Sequence, residues 1–252
     1  MPHNHLYILT GASRGMGLAM AQQLLKSGNT LICIARSTNA DLAIEAKAAG
    51  VTIEQWQQDL SQGEQAAHKL QAWLQAQGPQ AFASATLINN AGMIPQIAPL
   101  SHSNVDDLAT ALRVGLEAPM QLTAAFLGAT DSWTVPRKVL NISSGLGRRA
   151  MASQAAYCAA KAGMDHFTRC VALDEALKPH GAKVCSLAPG VIDTDMQAQI
   201  RQTDEALFPN KKRFEELKST QQLSSPKQTG ERLVDYLLSP IREYQAEALR
   251  ER

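Results

Sequence analysis

The sequence has almost no net charge, no paired cysteine motif and no long apolar run. Lys and Arg number 24 against 23 Asp and Glu, a net charge of +1. No overall field draws such a chain to nucleic acid or to an anionic membrane surface, and neither is expected as a partner. The four cysteines, Cys33, Cys158, Cys170 and Cys185, form no CxxC pair and no zinc-ligand spacing. Cys33 and Cys185 lie inside apolar runs, where a free thiol behaves as a small hydrophobe. Four reduced cysteines fit a cytoplasmic protein. His3 and His5 sit near the terminus with no partner close in sequence, so no metal site is expected. Met1 to His5 carry no basic stretch and only a short apolar run follows, so no signal peptide is expected. No segment approaches the ~20 apolar residues of a membrane span. No repeat, low-complexity tract or linker divides the chain, and residues 1–252 are read as one domain.

Hydrophobic residues make up 45% of the chain, enough for a substantial core. They fall in short, nearly continuous runs: Leu6–Leu9, Leu31–Ala35, Val51–Ile53, Ala85–Ile88, Lys138–Ile142 and Lys183–Leu187. Continuous runs of this length predict strands buried on both faces of a parallel sheet. Helix-length patterns alternate with them: Gly15–Ser27, Ala40–Ala49, Glu64–Gln77, Val105–Ala129 (read as two helices) and Gln154–Lys178. Gly28, Gly50, Gly78 and Gly181 each follow a helical pattern, as left-handed caps would. The alternation predicts a doubly wound α/β fold of the Rossmann type. Residues 195–225 are polar with no strong period and are expected to form a lid. Ile241–Arg252 is ambiguous: propensity favours helix and topology favours a last strand.

Thr10-Gly11-Ala12-Ser13-Arg14-Gly15-Met16-Gly17 joins the first strand to the first helix. Gly11 permits the tight bend, Gly15 lets backbone N–H groups approach a pyrophosphate, and Gly17 lets helix and strand pack closely. The spacing is GxxxGxG rather than GxGxxG, so its strand–turn–helix setting carries the signal. The second strand ends at Ile34-Ala35-Arg36, with no acidic residue to accept from a ribose 2′-hydroxyl. Arg36 and Arg14 instead suit a 2′-phosphate, which guanidinium groups bind through charged forks. NADP(H) is the cofactor this implies.

Tyr157 and Lys161 are four residues apart, on one face of a helix. A lysine ammonium about 4 Å from the phenol would draw the tyrosine pKa down from about 10, into range for proton exchange with a carbonyl oxygen. Ser144 lies at the carboxyl end of the fifth strand, where ligands of open α/β sheets bind, and can hold the substrate oxygen. Ser143 is read as a neighbour whose hydroxyl serves the backbone. Lys211-Lys212-Arg213 is read as a solvated face, and Trp56, Trp73 and Trp133 as packing or surface residues.

TGASRGMG, Asn89-Asn90-Ala91-Gly92, the Ser144/Tyr157/Lys161 set and Pro189-Gly190 stand in the order and spacing of the short-chain dehydrogenase/reductase family. The chain resembles that family over nearly its full length. LTGASRGMG, INNAG, APMQLT, NISSG, AAYCAAKAG and PGVIDTDMQAQIR are most similar to its sepiapterin reductase and benzil reductase branch. The resemblance implies an NADPH-dependent carbonyl reductase with Ser144, Tyr157 and Lys161 catalytic. It places the cofactor on Gly11, Ser13, Arg14, Gly15, Met16, Gly17 and Arg36, then on Asp59 and Leu60 beside the adenine. Asn90, Ala91 and Gly92 border the adenosine side. Tyr157, Lys161, Pro189, Gly190, Val191 and Thr194 hold the nicotinamide end. The family's fourth catalytic residue, an asparagine that helps hold a relay water, is replaced by Gly115. Subunits of the family commonly pair through the helix of Tyr157, which here is rich in Ala155, Ala156, Ala159, Ala160, Ala162 and Gly163; a homodimer or homotetramer is expected.

Met93, Ile94, Leu146, Met151, Ile192 and Met196 are expected to wall the substrate pocket. Apolar walls with sparse charge suit an apolar or aromatic ketone, with a vicinal diketone such as benzil favoured. A pterin side-chain carbonyl is the alternative. A third reading, a weakly catalytic NADP(H)-binding sensor or scaffold, rests on Gly115 alone.

Overall fold

The computed structural model describes residues 4–239. Among the described residues, six parallel strands form one sheet: β1 (His5–Thr10), β2 (Asn29–Ala35), β3 (Thr52–Gln57), β4 (Ser84–Asn89), β5 (Arg137–Ile142) and β6 (Lys183–Leu187). Their order is β3-β2-β1-β4-β5-β6. All six apolar runs became strands. The third run marked only the start of β3, because that strand lies at the sheet edge, where only Trp56 is buried and the remaining positions read as polar.

Alternate residues of each strand feed two cores. Leu6, Ile8, Ile32 and Ile34 pack on one face against α3 (Gly63–Gln75) and α5 (Ala118–Ala129) through Leu70, Leu74, Leu122 and Phe126. Tyr7, Leu9, Leu31 and Cys33 pack on the other against α1 (Gly15–Gln23), α2 (Ala40–Ala48) and α9 (Pro226–Leu238) through Met20, Leu42, Leu233 and Leu237. Trp56, Trp73, Phe82 and Trp133 form a chain of ring contacts with centroids 6.1–6.4 Å apart. Glu54 accepts from the indole nitrogens of both Trp56 and Trp73. These tryptophans are packing residues.

The predicted pair of helices over 105–129 is α4 (Val105–Leu112) and α5, joined by a π-helical turn, Arg113–Glu117. Pro119 accounts for the distortion. It has no N–H for the carbonyl four residues back, at Gly115, and its ring crowds that carbonyl. α6 (Ala155–Ala176) carries Tyr157 and Lys161.

Gly28 and Gly50 adopt the expected positive φ, +85° and +65°. Gly78 and Gly181 do not. Gly181 is needed for close approach instead: a Cβ there would lie 1.7 Å from the Glu175 carbonyl oxygen.

Residues 195–225 contain α7 (Asp195–Gln202) and α8 (Lys211–Ser219). The two ends of this excursion meet in a bridge between Ile192 and Ser224. Its core is a third apolar cluster, Ile94, Ile97, Ile200, Phe208 and Phe214, with Met151, Tyr157, Met196 and Leu217 against it. The ambiguous stretch Ile241–Arg252 lies outside the described residues. No helix among the described residues is long and apolar enough to cross a membrane.

Candidate active site

The sheet order reverses between β1 and β4, and the crevice beyond the strand ends opens there. The glycine turn leaves β1 on one side of it and Asn89-Asn90-Ala91-Gly92 leaves β4 on the other. Asn90 ties the two together. Its Nδ2 donates to the carbonyls of Thr10 and Gly11, while Thr10 Oγ1 accepts from the N–H groups of Asn90 and Ala91. The side chain that sequence placed beside adenosine is thus committed to holding the turn.

Gly11 and Gly15 have φ of +69° and +56°. A Cβ on Gly17 would stand 2.0 Å from the Gly11 carbonyl oxygen, so only glycine allows the helix this close to the strand. A Cβ on Gly15 would find only Thr194, at 3.9 Å, which leaves that side of the turn open. The first turn of α1 contains no acidic residue, and its N-cap, Arg14, makes no side-chain capping bond. Such a helix start attracts a phosphate. β2 ends at Ala35 without a carboxylate. These features fit a nicotinamide dinucleotide.

A cavity of about 1390 Å³ runs along this edge and on beneath α7 and α8. Every residue that sequence assigned to catalysis or cofactor lines it, from Gly11 and Arg36 through Asp59, Leu60 and Gly92 to Ser144, Tyr157, Lys161 and Thr194. So do Met93, Ile94, Leu146, Met151, Ile192 and Met196. Asp59 accepts from the Ser61 N–H; this bond, with Arg36 nearby, holds its carboxyl below the usual value.

A buried polar tie links the elements that carry Ser144 and Tyr157. Asn89 Nδ2 donates to Asn141 Oδ1 at 2.8 Å, and Asn141 Nδ2 donates to Thr168 Oγ1 at 2.8 Å. It joins β4, β5 and α6, and so fixes the strand end bearing Ser144 relative to the helix bearing Tyr157.

Ser144 accepts from the Leu146 N–H at 3.2 Å. Its hydroxyl also bonds with Tyr157, which lowers the phenol pKa, but burial outweighs this and holds Tyr157 above 10.0, with Cys158 adding to the rise. The expectation of a phenol drawn down by lysine is therefore corrected. Lys161 is itself buried, 4% exposed, and burial pushes its ammonium down to about 8 against the opposing pull of Asp165. Its Nζ donates to the Ile142 carbonyl at 2.7 Å and stands 5.9 Å from the Tyr157 ring centre.

Two further expectations change. Ser143 does not serve the backbone; its Oγ is buried, unpartnered and on the cavity wall. Of the basic run on α8, Lys212 pairs with Glu205 at 2.9 Å, but Arg213 lines the cavity. Arg148 turns away to Asp165, 3.6 Å distant, and only Arg149 of that pair lines the cavity. Gln154 and Gln197 also line it, and sequence reading passed over both. Nothing local marks them, since the packing of α6 and α7 puts them there.

A glycine turn at a reversing parallel sheet, leading to a serine, tyrosine and lysine in one cavity, defines a dinucleotide-binding oxidoreductase. Residues 5–205 match the short chain dehydrogenase family, and the chain belongs to it. Members act on carbonyl or hydroxyl groups with a nicotinamide cofactor. The chain is 36% identical to a benzil reductase ((S)-benzoin forming) of Bacillus cereus, over 91% of this chain and 92% of that one. It is 31% identical to a sepiapterin reductase of Meriones unguiculatus, over 91% and 90%. Among solved structures it resembles the KRED1-Pglu enzyme, with a TM-score of 0.79 and 27% identity over 94% and 96% of the two chains.

Proposed function

We propose that the chain is an NADPH-dependent carbonyl reductase that reduces one carbonyl of an apolar vicinal diketone of the benzil type. One observation carries the reading. A single cavity joins Arg14 and Arg36 to Ser144, Tyr157 and Lys161, and these to an apolar wall of Met93, Ile94, Leu146, Met151, Ile192 and Met196. The similarity to benzil reductases supports the same substrate class.

Arg14 and Arg36 hold the 2′-phosphate, and the first turn of α1 holds the pyrophosphate. NADPH, when bound, supplies the hydride. Ser144 donates to the reacting carbonyl oxygen and Tyr157 protonates it. A raised phenol pKa keeps Tyr157 protonated at neutral pH, the form that reduction requires. Lys161 binds the nicotinamide ribose and places positive charge beside the tyrosine oxygen as it gives up its proton. α7 and α8 act as a lid over the substrate end.

A pterin side-chain carbonyl is the second reading, favoured by the similarity to sepiapterin reductase. Its amino-pyrimidine edge needs a free carboxylate. Among the described lining residues the carboxylates are Asp59, Asp193 and Asp195, and none of them is buried to receive that edge. The dione is therefore preferred.

The subunit pairs with a second copy through α6. Ala155, Ala159 and Ala162 are exposed there, as are Leu173 and Leu177. Light scattering should give a mass of at least two chains; a monomer at all concentrations contradicts this.

Steady-state NADPH oxidation with benzil, 1-phenyl-1,2-propanedione and sepiapterin tests the substrate. The diones should be turned over best. A kcat/KM for sepiapterin about tenfold higher, or no turnover of either dione, overturns the reading.

A further inference from the structure

Two buried glutamines line the cavity, each with an unpartnered amide oxygen. Gln154 is 2% exposed and immediately precedes α6; Gln197 is 8% exposed and lies on α7. Oε1 of each is buried without a hydrogen bond. Burying an amide carbonyl unpaired disfavours folding, and an aliphatic side chain of similar size would avoid the cost. No local role offsets it at Gln154, whose side chain makes no helix-capping bond. Gln154 stands three residues before Tyr157, close to the same helix face. Gln197 follows Met196, which packs in the apolar cluster that also contacts Tyr157. Both residues line the cavity that also contains Tyr157, Gln154 from the start of α6 and Gln197 from α7.

We infer that Gln154 and Gln197 bind the second oxygen of the substrate, the one on the carbon next to the carbonyl being reduced. This rests on the vicinal-diketone reading. Ser144 and Tyr157 are occupied by the reacting oxygen, so its neighbour needs its own partner. A glutamine amide suits both ends of the reaction: Nε2 donates to a ketone oxygen, and Oε1 accepts from a hydroxyl. The same pair holds a dione and a hydroxyketone. Selection for two adjacent oxygens then resides in these amides, because a polar site left unpaired rejects an analogue more strongly than an apolar wall does.

Gln154→Leu and Gln197→Leu keep bulk and remove the amide. Three quantities would be measured: kcat/KM for benzil, the Ki of deoxybenzoin (which lacks the second oxygen) as a competitor, and the melting temperature. Each variant should lose about tenfold or more in kcat/KM for benzil. The deoxybenzoin Ki should stay within about twofold, and the melting temperature should hold or rise. An equal loss for both ligands, a lowered melting temperature with loss for both, or unchanged benzil kinetics overturns the inference. A wild type that reduces no vicinal diketone would overturn the substrate reading and this inference together.

Discussion

Arg14 and Asp195 meet across the mouth of the cavity, Nη1 to Oδ2 at 2.8 Å. The pair ties the glycine turn to the first turn of α7. Both side chains are largely exposed, so the bond adds little stability and yields to a competing anion. A 2′-phosphate carries more charge than a carboxylate and accepts guanidinium forks. Arg14→Ala and Arg36→Ala are each expected to raise the NADPH KM by about tenfold, a loss of roughly 1.4 kcal/mol. The NADH KM should barely move. Parallel changes for both cofactors, or equal use of both by the wild type, would refute the assignment.

Tyr157→Phe removes the proposed proton donor and keeps the ring that packs against the Ile94–Phe214 cluster. Folding and NADPH binding should survive. Turnover should fall at least ~100-fold, the low end for general acid catalysis. Near wild-type reduction by this variant would remove Tyr157 from the mechanism.

On the proposed mechanism, Lys161 gives the rate a pH dependence. Burial holds its pKa at about 8, while burial keeps Tyr157 protonated well above that. The catalytic charge is therefore lost as pH rises through about 8, and kcat/KM for reduction should fall there. Fold stability moves the other way. Between about 8 and 10.5 the unfolded lysine retains a proton the folded one has released, so this group's contribution to stability rises with pH across that window. A flat kcat/KM across the same window would contradict the role of Lys161.

Gly115 stands where the resemblance places the family's asparagine, and a side chain there would crowd α6. A Cβ there would meet Ala160 Cβ at 3.1 Å, on the helix that carries Tyr157 and Lys161. Gly115→Asn is therefore expected to lower kcat/KM and the melting temperature together. An increase in rate would mean the glycine impairs the wild type, and no detectable carbonyl reduction by a wild type that binds NADPH tightly would favour the sensor reading.

Two glycines should respond in opposite ways. Gly17→Ala forces a Cβ to 2.0 Å from a backbone oxygen and should cost more than ~2 kcal/mol and abolish NADPH binding. Gly78→Ala meets nothing within 4 Å at an ordinary φ and should be neutral or stabilising by up to about 1 kcal/mol. Chemical denaturation of both variants checks the contrast.

Much of this architecture was legible from local patterns. Strands buried on both faces produce continuous apolar runs, and the glycine turn has a spacing imposed by its own backbone. β3 was half hidden because an edge strand does not need an apolar sequence. Gly181 was misread because its reason is a contact with Glu175, not a cap. At the site, residues belonging to compact motifs were found. Gln154 and Gln197 were missed, and Arg213 was misread as solvated, because their positions depend on how α6, α7 and α8 pack. The Tyr157 pKa was misjudged for a related reason. Spacing brings Lys161 to the right face, but burial and the Ile142 carbonyl decide where its charge acts.

The proposed reaction is direct hydride delivery to a dione carbonyl in front of Tyr157. It is tested with NADPH carrying deuterium at both C4 positions of the nicotinamide, benzil as acceptor and mass spectrometry of the product. The wild type should form benzoin carrying deuterium on the carbinol carbon, and Tyr157→Phe should lose that product. Benzoin without deuterium, or no benzoin while NADPH binds tightly, would contradict it.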